Sequence, residues 1–341
     1  MSVPPTGRQL IVSDDAGTTA VVTEVGAGLR AFEANGVAYT ETWPETERPP
    51  RGCGALLAPW PNRVRAGRWA WQGAEQQLAL TEPAAGNAIH GLLRHVCWVV
   101  DQHDDDAVTL TASVMPQPGW PQPVRVSVRY GVGAGGLTVA ISAENLGTAD
   151  VPFGVGSHPY LRVGSTPVRE CTLELGATTA VPLVDQLPAG EPRPLAAEER
   201  TISLRDARLD DCFGGARPVD GDDLVRHRLT SADGGVELWA DPAFGWVQVF
   251  TPDDLGGHGP AVAVEPMTCP PDALNSGEGL VVLAPGSGGA PAGGSDRWAE
   301  RPAVPVPECR HGPAGPPGPS TTVTSCGRCS SSGSARATRT I

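Results

Sequence analysis

Lysine is absent from this chain of 341 residues, so all 25 of its basic side chains are arginines. Against 38 acidic residues they leave a formal net charge of -13, which argues against nucleic acid or an anionic membrane surface as the main partner. Aromatic residues are scarce at 5%, but nine of them are tryptophans, large rings suited to fill a core or lie on the apolar face of a ligand. No apolar run approaches the ~18 residues of a membrane helix, so no helical span is expected. The stretch Met1–Arg8 has no basic segment followed by an apolar one, and no secretory signal is expected there. Long helices lack support too, because helical periodicity is weak and 43 glycines and 35 prolines interrupt nearly every candidate. The eight cysteines are scattered through a chain far larger than a disulfide-stapled miniature, which predicts free thiols and a cytoplasmic, reducing location.

What is present is a succession of short apolar segments. Val124–Tyr130, Leu137–Ser142 and Trp246–Phe250 alternate apolar and polar residues, the pattern of half-buried antiparallel strands. Gly131-Val-Gly-Ala-Gly-Gly136 is spelled like a nucleotide-binding glycine loop, but strands flank it and no helix follows, so it reads as a hairpin turn. Many strands at short spacing predict an all-β fold, a large many-stranded antiparallel β-sandwich. After Leu280–Gly286 the composition shifts to Gly, Pro, Ser, Thr and Arg, which cannot bury enough apolar surface to offset chain entropy. The expected organisation is a sandwich domain over residues 1–286 and a disordered tail over 287–341. Cys326 and Cys329 in that tail form a CxxC without a second ligand pair, a weak zinc signal.

Five stretches combine polar groups with loop punctuation. Gly154-Val-Gly-Ser-His-Pro-Tyr160 sets His158 where a strand opens into a loop. Ala58-Pro-Trp-Pro-Asn-Arg-Val64 places Asn62 and Arg63 after two stiffening prolines, where a guanidinium can donate fixed hydrogen bonds to hydroxyls or an anion. Gly86–Gly91 carries His90, and Arg208–Phe213 carries the pair Asp210 and Asp211. Glu265 follows the apolar run Val262–Val264 and precedes a proline, a position where partial burial raises a carboxylate's pKa and suits it to act as a general base. Two histidines and a carboxylate could also ligate iron or zinc, but the chain has no HxH, HxxxH or HExxH spacing around them, and metal-free proton transfer on a polyol fits better.

In order along the chain, Pro59–Arg63, Asn87–Gly91, Gly156–Tyr160, Leu209–Phe213, Glu265–Thr268 and Leu283–Gly286 resemble the aldose 1-epimerase (galactose mutarotase) family over about residues 9–286. The resemblance implies a sugar cleft on one sheet of a single sandwich domain, working without metal or organic cofactor, with a small sugar as partner and a monomer or homodimer as the assembly. It implies that Glu265 is the general base and His158 the general acid. It implies further that His90 hydrogen-bonds the sugar, and that Arg63, with Asn62 beside it, and Asp210 bind it. Asp210 is preferred to Asp211 because the family sets its aspartate three residues before an aromatic, here Phe213. The reaction implied is interconversion of the α and β anomers of an aldohexose such as glucose or galactose. Two alternatives stand beside it: a phosphorylated or sulfonated sugar, for which Arg65 and Arg68 offer extra basic groups near Arg63, and a non-catalytic carbohydrate-binding or regulatory protein, which would need no matched acid and base. Trp60, Trp98 and Trp246 are candidates for sugar stacking or for core packing. One departure stands out: the family continues past Gly286 into another apolar strand, where this chain has Ser287–Ser295, as a reading-frame shift would produce, and an open sheet edge is the expected consequence.

Overall fold

Alternation translates directly into layers. Val124–Gly133 and Gly136–Asn145 pair antiparallel from Val124 opposite Asn145 to Gly133 opposite Gly136, closing the hairpin read from the glycine run. Along the first of them Val124, Val126, Val128, Tyr130 and Val132 are buried and the residues between them are not, so one face packs inward. The computed structural model describes residues 3–133, 135–218, 223–286 and 297–305, the last as backbone only.

These residues are almost wholly β, in antiparallel sheets that make up the expected many-stranded sandwich. A nine-stranded sheet runs from Val99–His103 through the central hairpin to Thr201–Ser203. An eight-stranded sheet has at its middle Asp210–Gly214, Trp246–Phe250 and Val262–Met267. Gln9–Ser13, Thr18–Thr23 and Leu29–Ala34 pair in sequence into a smaller sheet whose apolar residues join the same core. Among the described residues no helix is long and apolar enough to cross a membrane, and Cys53, Cys97, Cys171, Cys212 and Cys269 are free thiols.

The tryptophans divide as packing requires. Trp60 and Trp98 are each 2% exposed, and Trp60 lies 5.8 Å from Trp120, itself 5.7 Å from Trp69. Trp246 packs beside Val181, Cys212 and Met267. All three candidates for sugar stacking are therefore packing groups.

The stretch after Gly286 contains a strand after all. Arg297–Pro305 pairs antiparallel with Gly136–Asn145 on one side and with Gly234–Ala240 on the other, making the nine-stranded sheet continuous where an open edge was expected. Its prolines hid it from the sequence reading, since a proline cannot donate to a ladder; the register shifts between Glu237 and Leu238, opposite Pro302. The rest of 287–341, with Cys309 and the Cys326–Cys329 pair, lies outside the described residues.

Candidate active site

Three neighbouring strands bring the polar residues together by register alone. Cys212 stands opposite Gln248, and Gln248 opposite Glu265; two pairs further along, Asp210 stands opposite Phe250. Directly opposed residues share a face, and so do residues two apart, so Asp210, Gln248 and Glu265 project to one side. Asp211 falls on the other face, opposite Val249.

His158 arrives on the far edge of the Glu265 strand. Gly156 pairs with Met267, and Tyr160 with Ala263, so equal lengths of chain separate the two contacts and His158 stands opposite Glu265. Its backbone is fixed from behind: its N–H donates to the Ala55 carbonyl at 3.0 Å and its carbonyl accepts from Gly54 at 2.9 Å. The imidazole stacks on Tyr160 at 5.1 Å, and Gly52 makes room for it, since a Cβ there would meet the ring at 3.2 Å. Nε2 of His158 lies 3.3 Å from Oε1 of Glu265.

His90 meets this ring edge-on, 5.5 Å between centroids. His90 and Asn62 both adopt left-handed backbone, φ +61 and +54, a strained state for a residue with a side chain. They hold each other in it: His90 N–H donates to the Asn62 carbonyl at 2.9 Å, and Asn62 N–H donates to His90 Nδ1 at 3.2 Å. With Nδ1 accepting, the neutral His90 ring carries its hydrogen on Nε2. Donor atoms of His90, His158 and Glu265 lie within 4.8 Å of one another, close enough to hold a metal ion. A His90 Nε2 that bears hydrogen is a donor and not a ligand, however, so the trio suits proton transfer better than coordination.

Arg63 is clamped by acids. Its Nε and Nη2 donate to the two oxygens of Glu82 at 2.8 and 2.9 Å, and Nη2 lies 3.7 Å from Asp210 Oδ2. Asp210 Oδ1 accepts from Gln248 Nε2 at 2.7 Å. Three buried polar atoms of this cluster have no hydrogen-bond partner among the described residues: Nδ1 of His158, Oε2 of Glu265 and Oε1 of Gln248. Together these residues line one cleft of about 310 Å³, with Phe250 on one wall and Arg51 and Arg94 on others. Larger hollows of about 470 and 520 Å³ lie elsewhere; the first gathers His103 with Asp14 and Asp105 and the second Arg68 with Gln77, but neither holds a buried acid and base.

Burial sets the protonation. It pushes the Glu265 carboxyl well above the usual carboxylate range, reinforced by the charge of Asp210 and opposed by Arg63. Burial pushes His158 down to about 3, helped by Arg94 and opposed by the histidine's own backbone carbonyl. His90 is held well below its ordinary value by burial first, then by His158, Arg94 and Arg63. Both shifts favour the uncharged forms, a carboxylic acid and a neutral imidazole.

All six residues expected from sequence, Asn62, Arg63, His90, His158, Asp210 and Glu265, line this cleft. Glu82, Arg94 and Gln248 were missed. Gln248 had a legible signal, a polar residue inside the apolar run Trp246–Phe250; Glu82 in a Thr-Glu-Pro turn and Arg94 in a loop had none.

The sequence model of a family described as aldose 1-epimerase matches residues 8–288. Over 277 residues the chain is 35% identical to the uncharacterized protein YihR of Escherichia coli K12, covering 78% of this chain and 86% of that one. A galactose mutarotase-like protein from Clostridium acetobutylicum superposes with a TM-score of 0.73 at 16% identity, over 85% of this chain and 93% of its own. A GalM/aldose epimerase homologue from Caenorhabditis elegans does so with a TM-score of 0.73 at 18% identity, over 88% and 98%.

Proposed function

The chain belongs to the aldose 1-epimerase family, and on that premise we propose that it interconverts the α and β anomers of an aldohexose by acid–base opening and reclosure of the ring. The observation that carries this reading is the buried Glu265–His158 pair, 3.3 Å apart and lining the cleft. Opening requires a proton to leave the anomeric hydroxyl while another reaches the ring oxygen, and two opposed groups of this kind can do both at once.

The proton count closes without solvent. When the sugar enters, the proton passes from Glu265 to His158, so that a carboxylate faces the anomeric hydroxyl and an imidazolium faces the ring oxygen. Glu265 takes the hydroxyl proton, His158 gives its proton to the ring oxygen, and the C1–O bond of the ring breaks to leave an aldehyde. The pair has then returned to acid and neutral imidazole, the state that burial favours, so the environment that disfavours the charged pair stabilises the open chain. Rotation about C1–C2 presents the other face of the aldehyde. Reclosure runs the transfers backwards and yields the other anomer.

The remaining residues hold the sugar. His90 Nε2–H donates toward the reacting oxygens, Asn62 fixes that ring, and Arg63, Asp210 and Gln248 orient hydroxyls. Acid and base catalysis each supply about 10²–10⁴-fold. Anomer exchange of glucose and galactose, read by polarimetry or proton exchange spectroscopy, tests the reading: Glu265→Gln should lose about 10³-fold or more in rate while the fold is retained. Near-normal exchange in that variant would overturn it.

A further inference from the structure

The extra basic groups that sequence offered near Arg63 do not reach the cleft. Arg65 lies 3.5 Å from Asp272, Arg68 donates to Gln77, and neither lines the site. Of the cations that do line it, Arg63 is occupied by Glu82 and Asp210, and Arg51 spends its Nε on the Asp254 carbonyl. Arg94 differs. It is only partly exposed, and its guanidinium makes no hydrogen bond or ion pair among the described residues.

In a chain of net charge -13, acids to pair with are plentiful, and several arginines elsewhere have found them: Arg8 with Glu24, Arg125 with Glu144, Arg162 with Glu41 and Arg193 with Glu199. Holding a guanidinium partly out of water without a hydrogen bond costs free energy: burial lowers its proton affinity, and the charge of Glu82, whose oxygens Arg63 already holds, offsets part of that. A cation kept at that cost inside a ligand cleft matches an anion brought by the ligand. Its charge is felt by both His158 and His90, which puts it close to the reacting centre. A cleft of about 310 Å³ is at the small end of ligand sites, so one monosaccharide fills it and touches both ends.

We propose that Arg94, with Arg51 as a second cation on the wall, forms an anion subsite, and that the aldose carries a phosphate or sulfonate on a carbon remote from C1. The inference rests on the anomer-exchange reading and deepens it. Arginine suits the task because its planar fork donates two parallel hydrogen bonds to such a group.

The experiment compares anomer exchange of glucose, glucose 6-phosphate and 6-deoxy-6-sulfoglucose, at low and high salt, in wild type, Arg94→Ala and Arg94→Lys. We expect kcat/KM for an anionic sugar to exceed that for glucose at least tenfold. Arg94→Ala should cut that ratio tenfold or more, mainly through KM, Arg94→Lys should keep part of it, and salt should shrink it. The phosphate and sulfonate arms identify which anion is taken. A ratio near one, or a ratio unmoved by Arg94→Ala, overturns the subsite while leaving the epimerase reading intact. Calorimetry separates the two further. In a Glu265→Gln background, loss of glucose 6-phosphate or sulfoglucose binding on adding Arg94→Ala supports the subsite, and equal binding refutes it. Absence of exchange for all three sugars by folded wild type would count against the epimerase reading alone.

Discussion

Two glutamates sit on strands of this molecule in nearly the same burial, 2% exposed for Glu265 and 7% for Glu237, and their surroundings are opposite. Glu237, on the nine-stranded sheet, accepts from Arg226, Arg228 and the Trp239 indole, and Arg226 also lies 4.7 Å over the Trp239 ring. Glu265, on the eight-stranded sheet, has the His158 imidazole beside one oxygen and a second oxygen with no hydrogen-bond partner among the described residues. Two guanidinium groups occupy the oxygens of a carboxylate with charge-assisted hydrogen bonds. One neutral imidazole leaves it free to take and return a proton. Burial alone therefore does not make a carboxylate reactive; withholding its cations does.

Exchanging the roles of the two residues is the sharpest way to break the contrast. Glu265→Gln should abolish exchange with little change in unfolding midpoint, since it removes no paired charge. Glu237→Gln should leave exchange within a few-fold of wild type and cost about 1–3 kcal/mol by stranding two arginines, as denaturant unfolding would read. Loss of exchange in the second variant would mean the two sheets are coupled in a way the contrast denies.

The histidines extend the comparison to pH. His227 on the nine-stranded sheet accepts from Gly176 N–H at 3.3 Å, and burial lowers its pKa from 6.5 to about 4. Below pH 6.5 the unfolded chain protonates this ring while the folded chain does not until about pH 4, so stability falls across that window. Complete passage through it removes about 3 kcal/mol at ~1.4 kcal/mol per pKa unit. His227→Gln, whose side-chain oxygen can still accept from Gly176, should flatten this acid sensitivity without slowing exchange. Equal pH dependence of the unfolding midpoint in both proteins would assign the loss to other groups.

A smaller effect is expected at the Arg63 clamp. Glu82→Gln should raise KM for the sugar about tenfold, or ~1.4 kcal/mol, with kcat changed less, because the guanidinium keeps its charge and loses its fixed bearing. An unchanged KM would show that Asp210 alone orients Arg63.

Legibility in the sequence followed the same division. His158, His90, Arg63 and Glu265 could be read because each sits where a strand meets glycine or proline, and such punctuation marks the places where a scaffold presents side chains. Gln248 acquires its place only through register with Glu265, which no local pattern encodes. Glu82 and Arg94 reach the cleft from a turn and a loop whose destinations depend on the whole fold. Arg297–Pro305 was hidden for another reason: its prolines and charges argue against a strand, and only the gap between Gly136–Asn145 and Gly234–Ala240 selects it as one.

The segment bearing His158 is stitched to the Glu265 strand on either side of the histidine, at Met267 and at Ala263. The proposed acid and base are thus mounted on one pair of rails. Thermal motion that tilts or slides this part of the sheet carries both groups together and hardly alters the gap between them. Such a mounting needs no lid to assemble it, and its turnover should be insensitive to solvent viscosity except where sugars enter and leave.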